Sequence, residues 1–333
     1  MTKKYYLSII SLAVIILLLP SVTPNDKDTL KFLIDARDIA TENLLGEYGI
    51  VGVGYTKNPS QIIILLENDK NITKIPKEIN GIEVKTVITG NISILTGTTL
   101  SGSHPTREKR WSTLIGGISI SPRWKLFYGT LAVTCGYRFD GGYYILSCTH
   151  VIAQNGFGRH LWKGYPIVQP AVVHGGGRDV VAHLSKFIKI KYGGILPNYA
   201  DTAIAKISNR ANDFHRILGS DDCSKYTVSL TPVNVYEGDV VRKSGVTTGV
   251  TESTVAMESI NILVQYGLRK ARFYDVIAVN QPFSQPGDSG SFVDSPEWYN
   301  RFVGLVFAGD EGGDDGYSYV CKAKYIVNKL NIL

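Results

Sequence analysis

From Gly116 to the end of the chain, short apolar runs keep stopping at Gly, Pro, Asn or Asp, and this rhythm limits the fold more than any other feature. Examples are YGTLAVTCGY, YYILSCTH, DVVAHLSKFIKI, TAIAKIS, FYDVIAVN and FVGLVFAG. Gly is abundant and Tyr unusually so, which leans toward many short strands and turns. Short strands at regular intervals between turn residues predict an all-β barrel or sandwich. The closing stretch AKYIVNKLNIL differs. It puts Ile326, Val327, Leu330 and Leu333 on one helical face, so a C-terminal helix is expected over residues 323–333.

The first half of the chain has another organisation. Lys3 and Lys4 precede an apolar stretch from Leu7 to Leu19 that Pro20 ends. That layout is a secretory signal over residues 1–24, and the stretch is short for a membrane span of about 20 residues. An uncleaved signal anchor is the alternative, so the chain is expected outside the cytoplasm, either secreted or held at a membrane by this segment. Leu30, Phe32, Leu33, Ala36 and Ile39 then recur at helical spacing, and GIVGVGYT, IIILLE and VKTVITG read as strands. Residues 28–95 are therefore expected to form a small α/β unit, a possible pro-domain. Residues 96–113 are rich in Ser, Thr, Gly and charge and are expected to be a linker. Its Arg107-Glu-Lys-Arg110 stretch offers a processing site.

Composition narrows the partners. The chain carries 35 basic and 29 acidic residues, and no basic run interleaved with aromatics occurs outside Arg107 to Arg110, so nucleic acid is not an expected partner. Four cysteines without a CxxC or Cys/His cluster at ligand spacing argue against a zinc site, and no metal or other cofactor is expected. In an exported chain they allow two disulfides. If Gly141-Gly142 is a two-residue turn, Cys135 lies opposite Cys148 and the two can pair. A shifted register puts Leu146 there instead. Cys223 with Cys321 follows only by elimination.

Three local patterns carry chemistry. Gln285-Pro-Gly-Asp-Ser-Gly-Ser291 is a tight turn whose glycines allow backbone amides to converge beside a serine hydroxyl. Such a hydroxyl needs a base to become a nucleophile and donors to hold the oxyanion it creates. His150 follows the apolar strand YYIL directly, at a strand end facing a cleft. Asp201 opens the apolar strand TAIAKI. The order is His, Asp, Ser.

That order and these contexts resemble the trypsin/chymotrypsin superfamily of serine peptidases. GTLAVTCGY, KSGVTTGVTESTV and VGLVFAG look like its microbial, archaeal and plant narrow-leaf-type members. The resemblance implies a double β-barrel over residues 114–333, with a first barrel at about 114–210, a second at about 211–322 and the C-terminal helix after it. It implies a catalytic triad of His150 as base, Asp201 as its orienting acid and Ser289 as nucleophile, with the amides of Gly287 and Ser289 as the oxyanion hole. Phe283 and Phe307 are expected to make an apolar wall of the substrate pocket. The acidic loop Asp310 to Asp315 is expected to be solvated, or to favour basic substrates. Ile115-Gly116-Gly117 is only a faint echo of the family's activating N-terminus, so activation by a new ammonium is not expected. The implied function is a secreted endopeptidase acting on proteins or peptides. A catalytically inactive binding module and a serine esterase on the same scaffold are the alternatives.

Overall fold

A computed structural model describes residues 26–98, 104–193, 196–208 and 210–333. The leader, and the linker residues 99–103, lie outside the described residues. Among those described, no helix is long and apolar enough to cross a membrane.

The part from Thr113 onward is mostly β, built on two large sheets and a small third one that joins Thr113–Gly116, Ala211–Leu218 and Lys225–Thr227. The first runs through seven strands, from Gly129–Thr130 and Ser119–Pro122 to Tyr143–Ser147 and Val133–Gly136. Its ends are tied by backbone bonds from Gly117 to Leu131 and from Leu131 to Ile118. In the second sheet, strand Val240–Gly245 pairs with both Phe292–Ser295 and Gly249–Tyr266. That double pairing closes six strands into a barrel, while residues 260–262 of the long strand Gly249–Tyr266 keep an edge beyond the closure. The helix Ala323–Leu330 follows, with Ala323, Ile326 and Leu330 buried. This is the chymotrypsin-type double-barrel class.

The α/β unit is present: helix Asp26–Leu44, then strands Ile50–Lys57, Ser60–Leu66 and Ile82–Ile88. It is not a detached bead. Ile50–Lys57 pairs antiparallel with Gly249–Tyr266, with Gly52 opposite Ile262, so its strands continue the second barrel's sheet. The unbroken run IIILL has its reason here, because this strand is buried on both faces. Ile62, Ile64 and Leu66 face the helix side chains Leu33, Ala36 and Ala40, while Ile63 and Leu65 join the core of the barrels.

The Arg107 segment behaves unlike an open linker. Arg107 is fully buried in the helical turn Pro105–Glu108. Its guanidinium pairs with Asp222 and donates to Ser244 Oγ at 2.7 Å, to Gly219 O at 2.9 Å and to Gly245 O at 3.2 Å. A protease cannot reach such a residue without local unfolding. Arg107→Ala strands a carboxylate and several carbonyls in a poorly solvated place. It is expected to destabilise the fold by about 3 kcal/mol, read as a lower urea midpoint at unchanged slope.

The expected disulfides are absent, and all four cysteines are free thiols. The hairpin turns over a wider loop than a two-residue turn, with Gly141 N–H bonded to Tyr137 O and Tyr137 N–H to Gly142 O. This puts Tyr144 opposite Cys135 and carries Cys148 away from it. Cys223 is exposed while Cys321 is buried beside Asp201, whose amide donates to its sulfur at 3.3 Å.

Candidate active site

His150 and Asp201 are buried and hydrogen-bonded to each other, and the buried Ser289 lies on a turn whose Gly290 packs against Ser147 and Cys148, just ahead of His150. His150 sits in the single turn Thr149–Ile152 that caps strand Tyr143–Ser147. Asp201 precedes strand Ala203–Ile207, which pairs with Tyr143–Ser147. Adjacent strands of one sheet thus deliver base and acid side by side. Ser289 comes from the other barrel, on the turn before Phe292–Ser295.

Asp201 is fully buried and accepts three hydrogen bonds: from His150 Nδ1 at 2.7 Å, from the His150 amide at 3.1 Å and from Tyr266 Oη at 2.5 Å. Burial alone raises its pKa. The neighbouring imidazole and these donors outweigh burial and hold the carboxyl below its ordinary range. With Nδ1 committed to Asp201, Nε2 is the free nitrogen. It is buried and has no hydrogen-bond partner. Ser289 Oγ donates to Phe307 O at 3.1 Å, so the bond from serine to base is not made in this conformation. A hydroxyl rotor can make it as a substrate arrives.

The turn that carries Ser289 needs glycine at 287. Gly287 has φ +104°, a conformation that suits glycine, and Tyr128 and Thr247 leave no room there for a Cβ. Thr130 braces the turn, its Oγ1 bonded to Gly287 O at 2.9 Å and its amide to Ser289 O at 2.8 Å. Asp288 is fully buried. Its carboxylate takes bonds from the Thr247 amide at 2.9 Å, the Gln285 amide at 3.0 Å and Thr248 Oγ1 at 2.7 Å, with Lys243 Nζ 3.4 Å away. A buried lysine thus supplies the positive charge in the intact chain, and the turn stands formed without a new N-terminus.

A peptide already lies across the cleft, and it is the chain's own. After strand Ile92–Ile94, which lies between Gly249–Tyr266 and Arg301–Gly309, residues 95–98 cross the seam between the two large sheets. The Leu95 amide donates to Phe307 O at 3.2 Å, and the Gly287 amide donates to Leu95 O at 2.7 Å. Leu95 packs in one apolar cluster with Phe283, Ile277, Val279 and Val306, and touches the place where Gly309 lacks a side chain. The cavity that remains open beside His150 is small, about 150 Å³, lined also by Thr96, Gln154 and Tyr266. A wider cleft, of about 570 Å³, lies elsewhere, between the N-terminal helix and the loop at Tyr236, and none of His150, Asp201 and Ser289 lines it.

Of the residues expected from the sequence, His150 and Asp201 are hydrogen-bonded to each other, Gly287 and Ser289 share the turn whose Gly287 amide meets Leu95 O, and Phe283 lines the apolar pocket. Phe307 contributes its carbonyl, whereas its ring packs on Phe273 with centroids 4.7 Å apart in a different core. In the acidic loop Glu311 and Asp315 are exposed, as expected, while Asp310 is engaged. Asp310 accepts from the Gly312 and Tyr317 amides and Tyr319 Oη, and Glu311 accepts from the Asn91 amide at 3.3 Å. Sequence reasoning missed Tyr266, Lys243 and Thr130, since no local pattern marks them. Cys148 also lies within ligand distance of His150 and Asp201. Burial, with Asp201's charge, pushes its thiol well above the ordinary range.

The seven-stranded sheet and the closed barrel together have the chymotrypsin-like fold. The chain is similar in structure to a glutamic acid specific serine protease (18% identity, TM-score 0.48, covering 66% of this chain and 98% of that one). It is also similar to a Nocardiopsis protease (16%, 0.47, 66% and 97%) and to Cellulomonas bogoriensis chymotrypsin (16%, 0.45, 66% and 97%). No protein-family profile matches the sequence, and a search of curated proteins gives no match.

Proposed function

We propose that the chain is an exported serine endopeptidase that hydrolyses peptide bonds through an acyl-enzyme on Ser289. The observation that carries this reading is the Gly287 amide holding a peptide carbonyl oxygen at 2.7 Å beside the buried His150–Asp201 pair. His150 Nε2 takes the proton as Ser289 Oγ attacks the carbonyl carbon. The oxygen becomes an oxyanion held by the Gly287 and Ser289 amides. His150 then gives the proton to the leaving amine, and water repeats the sequence on the ester. Asp201 keeps Nδ1 protonated throughout. The apolar surroundings of Leu95 favour substrates with an aliphatic residue before the cut. The signal-like leader supports export.

The bond from Ser289 to Phe307 O favours one rival, a module that grips peptides without cutting them. The protein, produced as the full chain and taken after any processing it undergoes, is to be exposed to a fluorophosphonate and to a peptide library. A phosphonyl mass on the Ser289 peptide, with cuts after aliphatic residues, is the expected result. Binding of such peptides with neither label nor hydrolysis identifies the module, and hydrolysis of esters alone identifies an esterase.

A further inference from the structure

We infer that the chain is its own first substrate, and that Ser289 cuts the bond between Leu95 and Thr96. The inference rests on the peptidase reading and names the first bond on which that site acts.

The geometry is that of a bound substrate on both sides of one bond. On the near side, Ser93 and Ile94 lie antiparallel to Gly309 and Ala308, and the Leu95 amide continues the ladder to Phe307 O. On the far side, Gly97 exchanges both backbone bonds with Tyr128, at 3.0 and 2.9 Å. A Cβ on Gly97 would run into the Tyr128 ring, so this close crossing needs glycine there. Between the two ladders only one carbonyl, that of Leu95, points its oxygen at the Gly287 amide. That amide neighbours the nucleophile, and its oxygen partner is the one that would bear the charge after attack. The side chain of Leu95 is 8% exposed and fills the apolar pocket. Thr96 shares the small cavity with His150, so the leaving nitrogen belongs to the residue beside the base. Strand addition fixes the backbone and a pocket fixes one side chain, which together hold a peptide in a reactive pose.

The chemistry balances with water as the only added reactant. Ser289 Oγ bonds to the Leu95 carbonyl carbon, and its proton passes through His150 to the nitrogen of Thr96 as the amide C–N bond breaks. Water then cleaves the Leu95 ester, its proton returns through His150 to Ser289, and the products are a Leu95 carboxylate and a Thr96 ammonium.

This assignment also moves the processing point. Cutting after Arg107 requires withdrawing a fully buried guanidinium from its acceptors, and cutting after Leu95 does not. The segment from His104 onward stays with the barrels, where it supports the Ser244–Gly245 backbone.

The test is intact mass and N-terminal sequencing of the full chain after expression, for wild type, Ser289→Ala, Leu95→Met and Leu95→Asp. Wild type and Leu95→Met are expected to yield a fragment beginning at Thr96 and one ending at Leu95. Ser289→Ala is expected to stay whole. Leu95→Asp places a charge in the apolar pocket and is expected to slow the cut by on the order of 100-fold. In parallel, a synthetic peptide spanning Ser93 to Thr98 and a fluorophosphonate report whether Ser289 is competent. A chain that stays whole at Leu95, or is cut elsewhere, while Ser289 takes the phosphonate and the library peptides are hydrolysed overturns self-cleavage and leaves the peptidase reading standing. A chain that stays whole and does neither overturns both. A Thr96 terminus in Ser289→Ala as well assigns the cut to another protease and overturns the inference.

Discussion

Ser289→Ala is expected to lower kcat on a cleavable peptide by on the order of 10⁶, equivalent to about 8 kcal/mol of barrier. The size follows from what the hydroxyl does and nothing else at the site can do. Alanine leaves the Gly287 turn, the His150–Asp201 pair and the apolar pocket in place, because Oγ itself makes only the bond to Phe307 O. Because the uncut variant keeps Leu95 in the groove, both proteins are compared as chains beginning at Thr96, and peptide affinity should then change by no more than a few fold. Residual turnover would come from the oxyanion donors acting on water. Initial rates and equilibrium binding of one peptide, measured on both proteins, separate the two effects. A variant that keeps kcat within tenfold would remove Ser289 from the chemistry.

Asp201→Asn is expected to lower kcat by about 10⁴ while leaving the fold intact. Asp201 faces three donors and offers only acceptors to them: His150 Nδ1–H, the His150 amide and the Tyr266 hydroxyl. An amide in the same place brings its own N–H₂, which must face one of those donors. The imidazole can relieve the conflict by moving its proton to Nε2, and then it cannot accept a proton from Ser289. The same carboxylate sets a stability trend with pH. Its folded pKa lies below the ordinary value near 4, so the ionised form stabilises the fold above about pH 4, and that contribution fades as pH falls through the folded pKa. The difference in unfolding free energy between wild type and Asp201→Asn should therefore be largest near neutrality and shrink below about pH 4. A difference independent of pH would mean that Asp201 is not held ionised by its neighbours.

The sequence alone determined the parts whose signals are local. Strands ended by turn residues encode the β-rich half, and Ile326, Val327 and Leu330 mark the closing helix, since backbone periodicity is written within a few residues. Gly287, which adopts φ +104°, and the serine two positions later mark a tight turn for the same reason. Only the tertiary structure decided the rest. Strand register depends on which faces meet across the fold, and a wider turn at Tyr137 to Gly142 was enough to separate Cys135 from Cys148. Tyr266 reaches Asp201 from 65 positions away, and the apolar pattern of Gly249–Tyr266 gives no hint of that hydroxyl's partner. The N-terminal unit looked separate because its own pattern is complete. It merges with the barrel because the edge of Gly249–Tyr266 accepts another strand. The placement of Leu95 at the amide of Gly287 is of the same kind. Nothing in ILTG distinguishes a linker from a bound substrate, because that difference lies in the groove that receives it, and the groove exists only once two barrels have closed against each other.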